Sequence, residues 1–114
     1  MNWKTILKNT PDDINWEEIT GGTREYWKDW MQTEYEGFMR ELRRNVEYAG
    51  NYFSIGLRNQ MGELMNKAHI HKGNNEIFEF AVIIKFIEEE IEPLLRDAIS
   101  QKKRDRANKR RRRR

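Results

Sequence analysis

The sequence predicts an all-α protein: a small helical bundle or a long helical hairpin that ends in a disordered basic tail. Apolar residues recur at steps of three and four along most of the chain, which is the spacing of one face of an α-helix. Aromatic residues make up 11% of the sequence, more than disordered chains usually carry, so a folded body is expected. The apolar pattern ends at Ile99, and we therefore divide the chain into a body, residues 1–100, and a tail, residues 101–114.

Charge divides the chain at the same place. The tail holds ten Lys and Arg residues and one Asp, a net charge of +9, whereas the body holds twelve basic and eighteen acidic residues, a net charge of −6. The two values sum to the overall charge of +3. An acidic body joined to a basic segment is typical of proteins that use the basic segment as an interaction arm.

Two short helices are expected before the first long one. The segments 2–6 and 15–19 both read Asn-Trp-x-x-Ile, with Trp and Ile on one helical face. We interpret them as short helices that each pack a Trp on the body, although coincidence explains the repeat equally well. Asn15 is placed to cap the second helix, with Glu18 three residues later, and the glycines in residues 20–22 end it.

The longest apolar stripe predicts one long helix that begins after Thr23, which is placed to cap it. The stripe extends over about seven helical turns, with an interruption expected near Gly50. An apolar face of this length is often completed by another subunit, so we expect a homo-oligomer or a protein partner on the body. The predicted core or self-association positions are Trp27, Met31, Tyr35, Phe38, Leu42 and Val46.

Two further helices are expected. The first runs from about residue 54 to residue 71, and the turn at 72–75 ends it, with Asn75 placed to cap the next helix. Residues 77–87 fit two patterns, because their apolar residues recur at helical spacing but also alternate as in a strand. The length of the run and the glutamates after it favour the helix, and the strand stays open as the alternative. Pro93 is expected to kink or restart this helix.

The tail carries the strongest functional signal in the sequence. Like charges at this density repel one another and bury nothing, so we expect the free tail to be disordered, with its first part able to extend the last helix in favourable conditions. Arginine binds phosphate oxygens through paired hydrogen bonds, and a nucleic acid backbone offers a dense row of such oxygens. The tail therefore predicts binding of DNA or RNA without sequence preference. The predicted contact residues are Lys102, Lys103, Arg104, Arg106, Lys109, Arg110, Arg111, Arg112, Arg113 and Arg114.

Three other roles of the tail compete with this prediction. Its two basic clusters, residues 102–104 and 109–113, resemble a bipartite nuclear import signal. The tail is also able to fold back on an acidic segment such as residues 88–92, or to contact an acidic protein. Binding to anionic lipid is the third role, but no lipidation signal or aromatic anchor lies beside the tail, and no membrane partner is predicted.

No pattern in the sequence predicts catalysis. There is no cysteine, no serine nucleophile motif and no glycine-rich phosphate loop. His69 and His71 would point about 200° apart on a helix, and neither has a Glu three residues earlier as di-iron sites require. We therefore expect no enzyme activity, no metal and no other cofactor.

Two functions follow as hypotheses. The first is a non-catalytic nucleic-acid-associated protein, in which the tail binds phosphates and the helical body binds itself or another protein. A packaging, virion or chromatin-associated role suits it. The second is a helical adaptor whose tail is a localisation signal or contacts an acidic protein. Because no signal peptide is recognisable, we expect an intracellular protein, cytoplasmic or nucleoid-associated, or nuclear in a eukaryotic cell or its virus.

Overall fold

The computed structural model describes residues 15–112, with side chains described as far as residue 109, and every regular element in that range is helical. The all-α prediction is therefore confirmed for this part of the chain, while the short helix predicted near residues 3–8 lies outside it. The elements are α1 (Trp16–Thr20), α2 (Arg24–Thr33), α3 (Tyr35–Ala49), a 3₁₀ turn (Gly50–Tyr52), α4 (Ile55–Gly73), α5 (Ile77–Phe86), a π-helical segment (Ile87–Ile91) and α6 (Glu92–Arg112).

Side-chain caps begin three of these helices, and the first two are the caps that the sequence predicts. The Asn15 side chain accepts a hydrogen bond from the backbone N–H of Glu18, and Thr23 accepts one from the N–H of Tyr26. Ser54 does the same for α4. Each cap satisfies one of the backbone donors that the first turn of a helix leaves without a partner.

The predicted cap at Asn75 is wrong, and Glu76 is the residue that precedes α5. Asn75 has a φ of +57°, so it lies in the left-handed conformation that closes a helix rather than the extended one that starts it. The backbone N–H of Glu76 donates to the carbonyl of His71, five residues back, at 2.9 Å. This bond across a left-handed residue is how a Schellman motif ends a helix, so Asn75 belongs to the end of α4.

The single long helix predicted from Thr23 is divided into α2 and α3 at Glu34. The bend brings the rings of Trp30 and Phe38 to 5.4 Å between centroids. Eight residues of straight helix would separate these positions by about 12 Å along the axis. Trp30 also lies 5.9 Å from the ring of Phe80 on α5, so the bend folds the stripe around the central helix.

Helix α5 is the centre of the core and is buried on nearly all sides. It packs against α1, α2 and α4, and α3 packs along α6. The apolar alternation in residues 77–87 is thus the signature of a helix surrounded by other helices, which confirms the favoured reading over the strand. Its buried residues are Ile77, Phe80, Ala81, Val82, Ile83, Ile84 and Phe86.

The helix continues past Pro93 by widening one turn before it. In the π-helical segment the N–H of Glu92 donates to the carbonyl of Ile87, five residues back. Pro93 has no N–H, and its ring would clash with the carbonyl four residues earlier in a regular helix. The wider turn accommodates the ring, so α5 and α6 form one continuous rod of about 54 Å.

The predicted core stripe is largely covered within the chain. Four of its six positions are buried, whereas Phe38 and Val46 are partly exposed. The cover comes from α5 and α6, so the stripe itself supplies no reason for a second subunit, and self-association stays a prediction. The four buried positions are Trp27, Met31, Tyr35 and Leu42.

Candidate nucleic-acid interface

The basic segment forms the last three turns of α6, so the prediction of disorder is wrong for residues 101–112. Three physical reasons favour the helix. The N-terminal half of α6 is already packed on the body through Leu95 and Ala98, so the basic segment extends an existing helix and does not have to nucleate a new one. Lys, Arg, Gln and Ala are good helix formers. Cations near a helix C-terminus also interact favourably with the helix dipole.

Contacts with α3 and the 3₁₀ turn fix the start of the basic segment. The Lys102 ammonium donates to the backbone carbonyl of Tyr48 and lies 4.3 Å from the centroid of the Tyr48 ring. Asp105 accepts hydrogen bonds from the Tyr52 hydroxyl at 2.7 Å and from the Gln101 amide at 2.9 Å. The Tyr52–Asp105 hydrogen bond is the main cause that raises the pKa of the Tyr52 phenol. Position and direction of the basic helix are therefore set by the body.

These contacts separate the predicted phosphate-binding residues into two groups. Lys102 is partly buried and engaged by Tyr48, so its side chain serves the body. Beyond it the described basic side chains are exposed to solvent, and the helical backbone continues through three of the five final arginines. The exposed group is Lys103, Arg104, Arg106 and Lys109.

Residues 88–92 and the basic segment follow one another along the chain, so the two stretches lie apart along the helix axis. Both belong to one continuous rod, and Glu92 is about 15 Å from Lys102 along its axis. Local pairs involve two of these glutamates: Lys85 with Glu88 at 3.6 Å and Arg96 with Glu92 at 4.0 Å. The structure thus directs the basic segment away from this acidic stretch.

A groove of about 330 Å³ lies between α3 and α6, nearer the middle of the molecule. Burial raises the pKa of Glu92 in its wall; Glu88 adds to this effect, Arg96 opposes it, and Glu41 adds a smaller increase. Carboxylates in the wall make this groove a poor place for phosphate. Its lining residues are Phe38, Glu41, Leu42, Asn45, Glu92, Leu95, Arg96 and Ile99.

The histidines occupy ordinary surface positions near the end of α4. The ring nitrogen Nδ1 of His71 lies 3.3 Å from a carboxylate oxygen of Glu76, and His69 is exposed. Within residues 15–112, no three His, Asp or Glu side chains are grouped closely enough to hold a metal ion. Nor does any helix in that range have the length and apolar character needed to cross a membrane.

Two exposed side chains beside the basic helix, one aromatic and one aliphatic, were not singled out from the sequence. Tyr52 and Ile55 are both exposed, at 41% and 77%, and they lie in and just after the 3₁₀ turn that holds Asp105. The sequence shows both residues, but only the fold brings the turn beside the basic helix, 53 residues further along the chain.

The fold of the described residues defines a class: a small all-α bundle, whose last helix carries exposed basic side chains at positions 103, 104, 106 and 109. Comparison of the chain with protein-family models, curated proteins and solved structures gave no match.

Proposed function

We propose that this chain is a non-catalytic nucleic-acid-associated protein that binds the phosphate backbone with the basic part of α6. The observation that carries the proposal is the exposed run of basic residues on a helix whose start is fixed against an acidic body. The body's net charge of −6 repels phosphates, so binding is expected to concentrate on this helix.

Helical geometry places part of this charge along one side. Positions 103, 106 and 110 fall within about 60° of one another when successive residues turn by 100°. They span about 10 Å of helix, and duplex DNA presents a phosphate every 1.7 Å or so along its axis. Several phosphates are thus within reach of one helix face. Contacts to phosphate do not read base identity, so sequence preference is expected to be small.

The helical body is the part we assign to protein contacts, either with itself or with another protein. It contributes rigidity to the interface, because Tyr48 and Tyr52 hold the start of the basic segment. A packaging, virion or chromatin-associated role suits a protein that neutralises phosphate without reading sequence.

Salt dependence of binding tests the proposal. Of the ten basic residues in the tail, Lys102 is engaged by the body, which leaves nine. If about half of the nine contact phosphates, the log–log slope of affinity against salt on duplex DNA is about −4, at about 0.9 per phosphate. Replacing residues 110–114 with Ala leaves four basic residues beyond Lys102, so the slope should flatten to about −2. Fluorescence anisotropy from about 50 to 200 mM salt measures both slopes.

A control variant removes the same number of charges from the body. It replaces five exposed basic residues with Ala and should leave the slope near −4, because the basic helix is intact. If the control weakens binding as much as the tail variant, net charge and not the tail determines affinity. If the full chain binds no nucleic acid at low salt, the adaptor hypothesis takes precedence. The control positions are Arg24, Lys28, Arg40, Arg43 and Arg44.

A further inference from the structure

We infer that Tyr52 is a stacking platform for an unpaired base, so that the interface prefers single-stranded nucleic acid over duplex. This inference rests on the proposed function and specifies its substrate class. It is carried by the position and exposure of one ring at the start of the basic helix.

The ring of Tyr52 is held in place although it is exposed. Its hydroxyl donates to Asp105 at 2.7 Å, and Gln101 holds the other carboxylate oxygen of Asp105 at 2.9 Å. The backbone beneath the ring is fixed as well, because the carbonyl of Gly50 accepts hydrogen bonds from the Arg58 side chain and from the N–H of Phe53. A ring fixed before binding loses little conformational freedom when a base stacks on it.

The surroundings of the ring suit a polynucleotide. Arg106 directly follows Asp105, the hydrogen-bond partner of Tyr52, and its side chain is exposed. Ile55, 77% exposed, adds apolar surface beside the turn. The first turn of α4 contains no acidic residue. Asp105 is the one acid of the tail, and its two oxygens are already hydrogen-bonded to Tyr52 and Gln101.

This combination of an exposed aromatic ring and a row of cations is what single-stranded binding surfaces use. Cations follow the backbone, and bases stack on aromatic side chains with little regard to their identity. In a duplex the faces of the bases are stacked on one another, so Tyr52 would have nothing to contact. The other strongly exposed tyrosine, Tyr26, lies on α2 beside Glu25, and its ring packs edge-on against Trp27 at 5.3 Å, so it serves as the control position.

The test compares three fluorescent probes by anisotropy: a 20-nucleotide oligothymidylate, an abasic strand of the same length, and a 20-base-pair duplex. The full chain should bind oligothymidylate at least about fivefold more tightly than the abasic strand. Tyr52→Leu should bind oligothymidylate about 5- to 150-fold more weakly than Tyr52→Phe, which loses the same hydrogen bond to Asp105, whereas the two variants should bind the abasic strand and the duplex within about twofold of each other. Tyr52→Phe, which keeps the ring, and Tyr26→Leu should both bind oligothymidylate within about threefold of the parent chain.

Each other outcome has a distinct meaning. Equal affinity of the parent chain for oligothymidylate and the abasic strand overturns the stacking inference without requiring any variant to fold. An equal loss on all three probes in Tyr52→Leu also overturns it, because the residue would then serve only to hold the basic helix. If the parent chain binds none of the probes, the proposed function itself fails. Thermal melting by circular dichroism checks that each variant is folded.

Discussion

Truncation of two neighbouring phenylalanines tests the helical assignment of α5 against the strand that the sequence left open. Phe80 is fully buried, and its ring lies 5.4 Å from Tyr35 and 5.9 Å from Trp30. Phe78 is only partly buried and stacks on Trp16 at 6.0 Å. On a helix these two positions point about 200° apart, whereas in a strand they share one face. We therefore expect Phe80→Ala and Phe78→Ala to differ strongly in their effect on stability.

The expected magnitudes follow from burial. Phe80→Ala removes a fully buried aromatic ring and should lower the free energy of unfolding by about 3–5 kcal/mol. Phe78→Ala removes a ring that stays partly in solvent, and we expect a loss of about 1–2 kcal/mol. As a control, Phe80→Leu keeps most of the side-chain volume and should lose about 1 kcal/mol.

Urea unfolding followed by circular dichroism measures these differences directly. In a chain of this size each kcal/mol lowers the Tm by about 4 °C, so Phe80→Ala should melt at least about 12 °C below the parent chain. A loss of unfolding free energy for Phe78→Ala as large as that for Phe80→Ala would contradict the helical assignment of α5. That result would mean that both rings lie on the same buried face.

Three further predictions concern single positions. Leu42→Ala should destabilise the protein by about 2–5 kcal/mol and Phe38→Ala by less, because Leu42 is buried and Phe38 is partly exposed. Equal urea midpoints for the two variants would contradict the packing of α3. Burial raises the pKa of the Glu92 carboxyl group above its ordinary 4.5, so this group binds a proton more tightly in the folded protein than in the unfolded chain. The free energy of unfolding therefore falls as pH rises above about 4.5. Glu92→Gln should therefore have a higher Tm than the parent chain at pH 7, and this difference should disappear at pH 3. Gly50 has a φ of +56°, so Gly50→Ala should cost about 1–3 kcal/mol, and an unchanged Tm would argue against this turn.

Local chemistry explains which features were predictable. A cap depends on one side chain and a backbone donor three residues away, so Asn15 and Thr23 were correctly identified from their neighbours alone. The Asn75 prediction failed because Asn suits both a cap and a left-handed turn. Which of the two it adopts depends on how α4 and α5 pack together.

The candidate site divides in the same way. The sequence by itself determined the charge asymmetry, the basic composition of residues 101–114 and the end of the apolar pattern at Ile99, because these depend only on residue type. Tertiary structure decided that Lys102 is engaged by Tyr48, that Tyr52 lies beside Asp105, and that the basic residues continue a helix. Contacts between residues more than 50 positions apart depend on how the helices pack, and helical spacing within one segment carries no information about that packing.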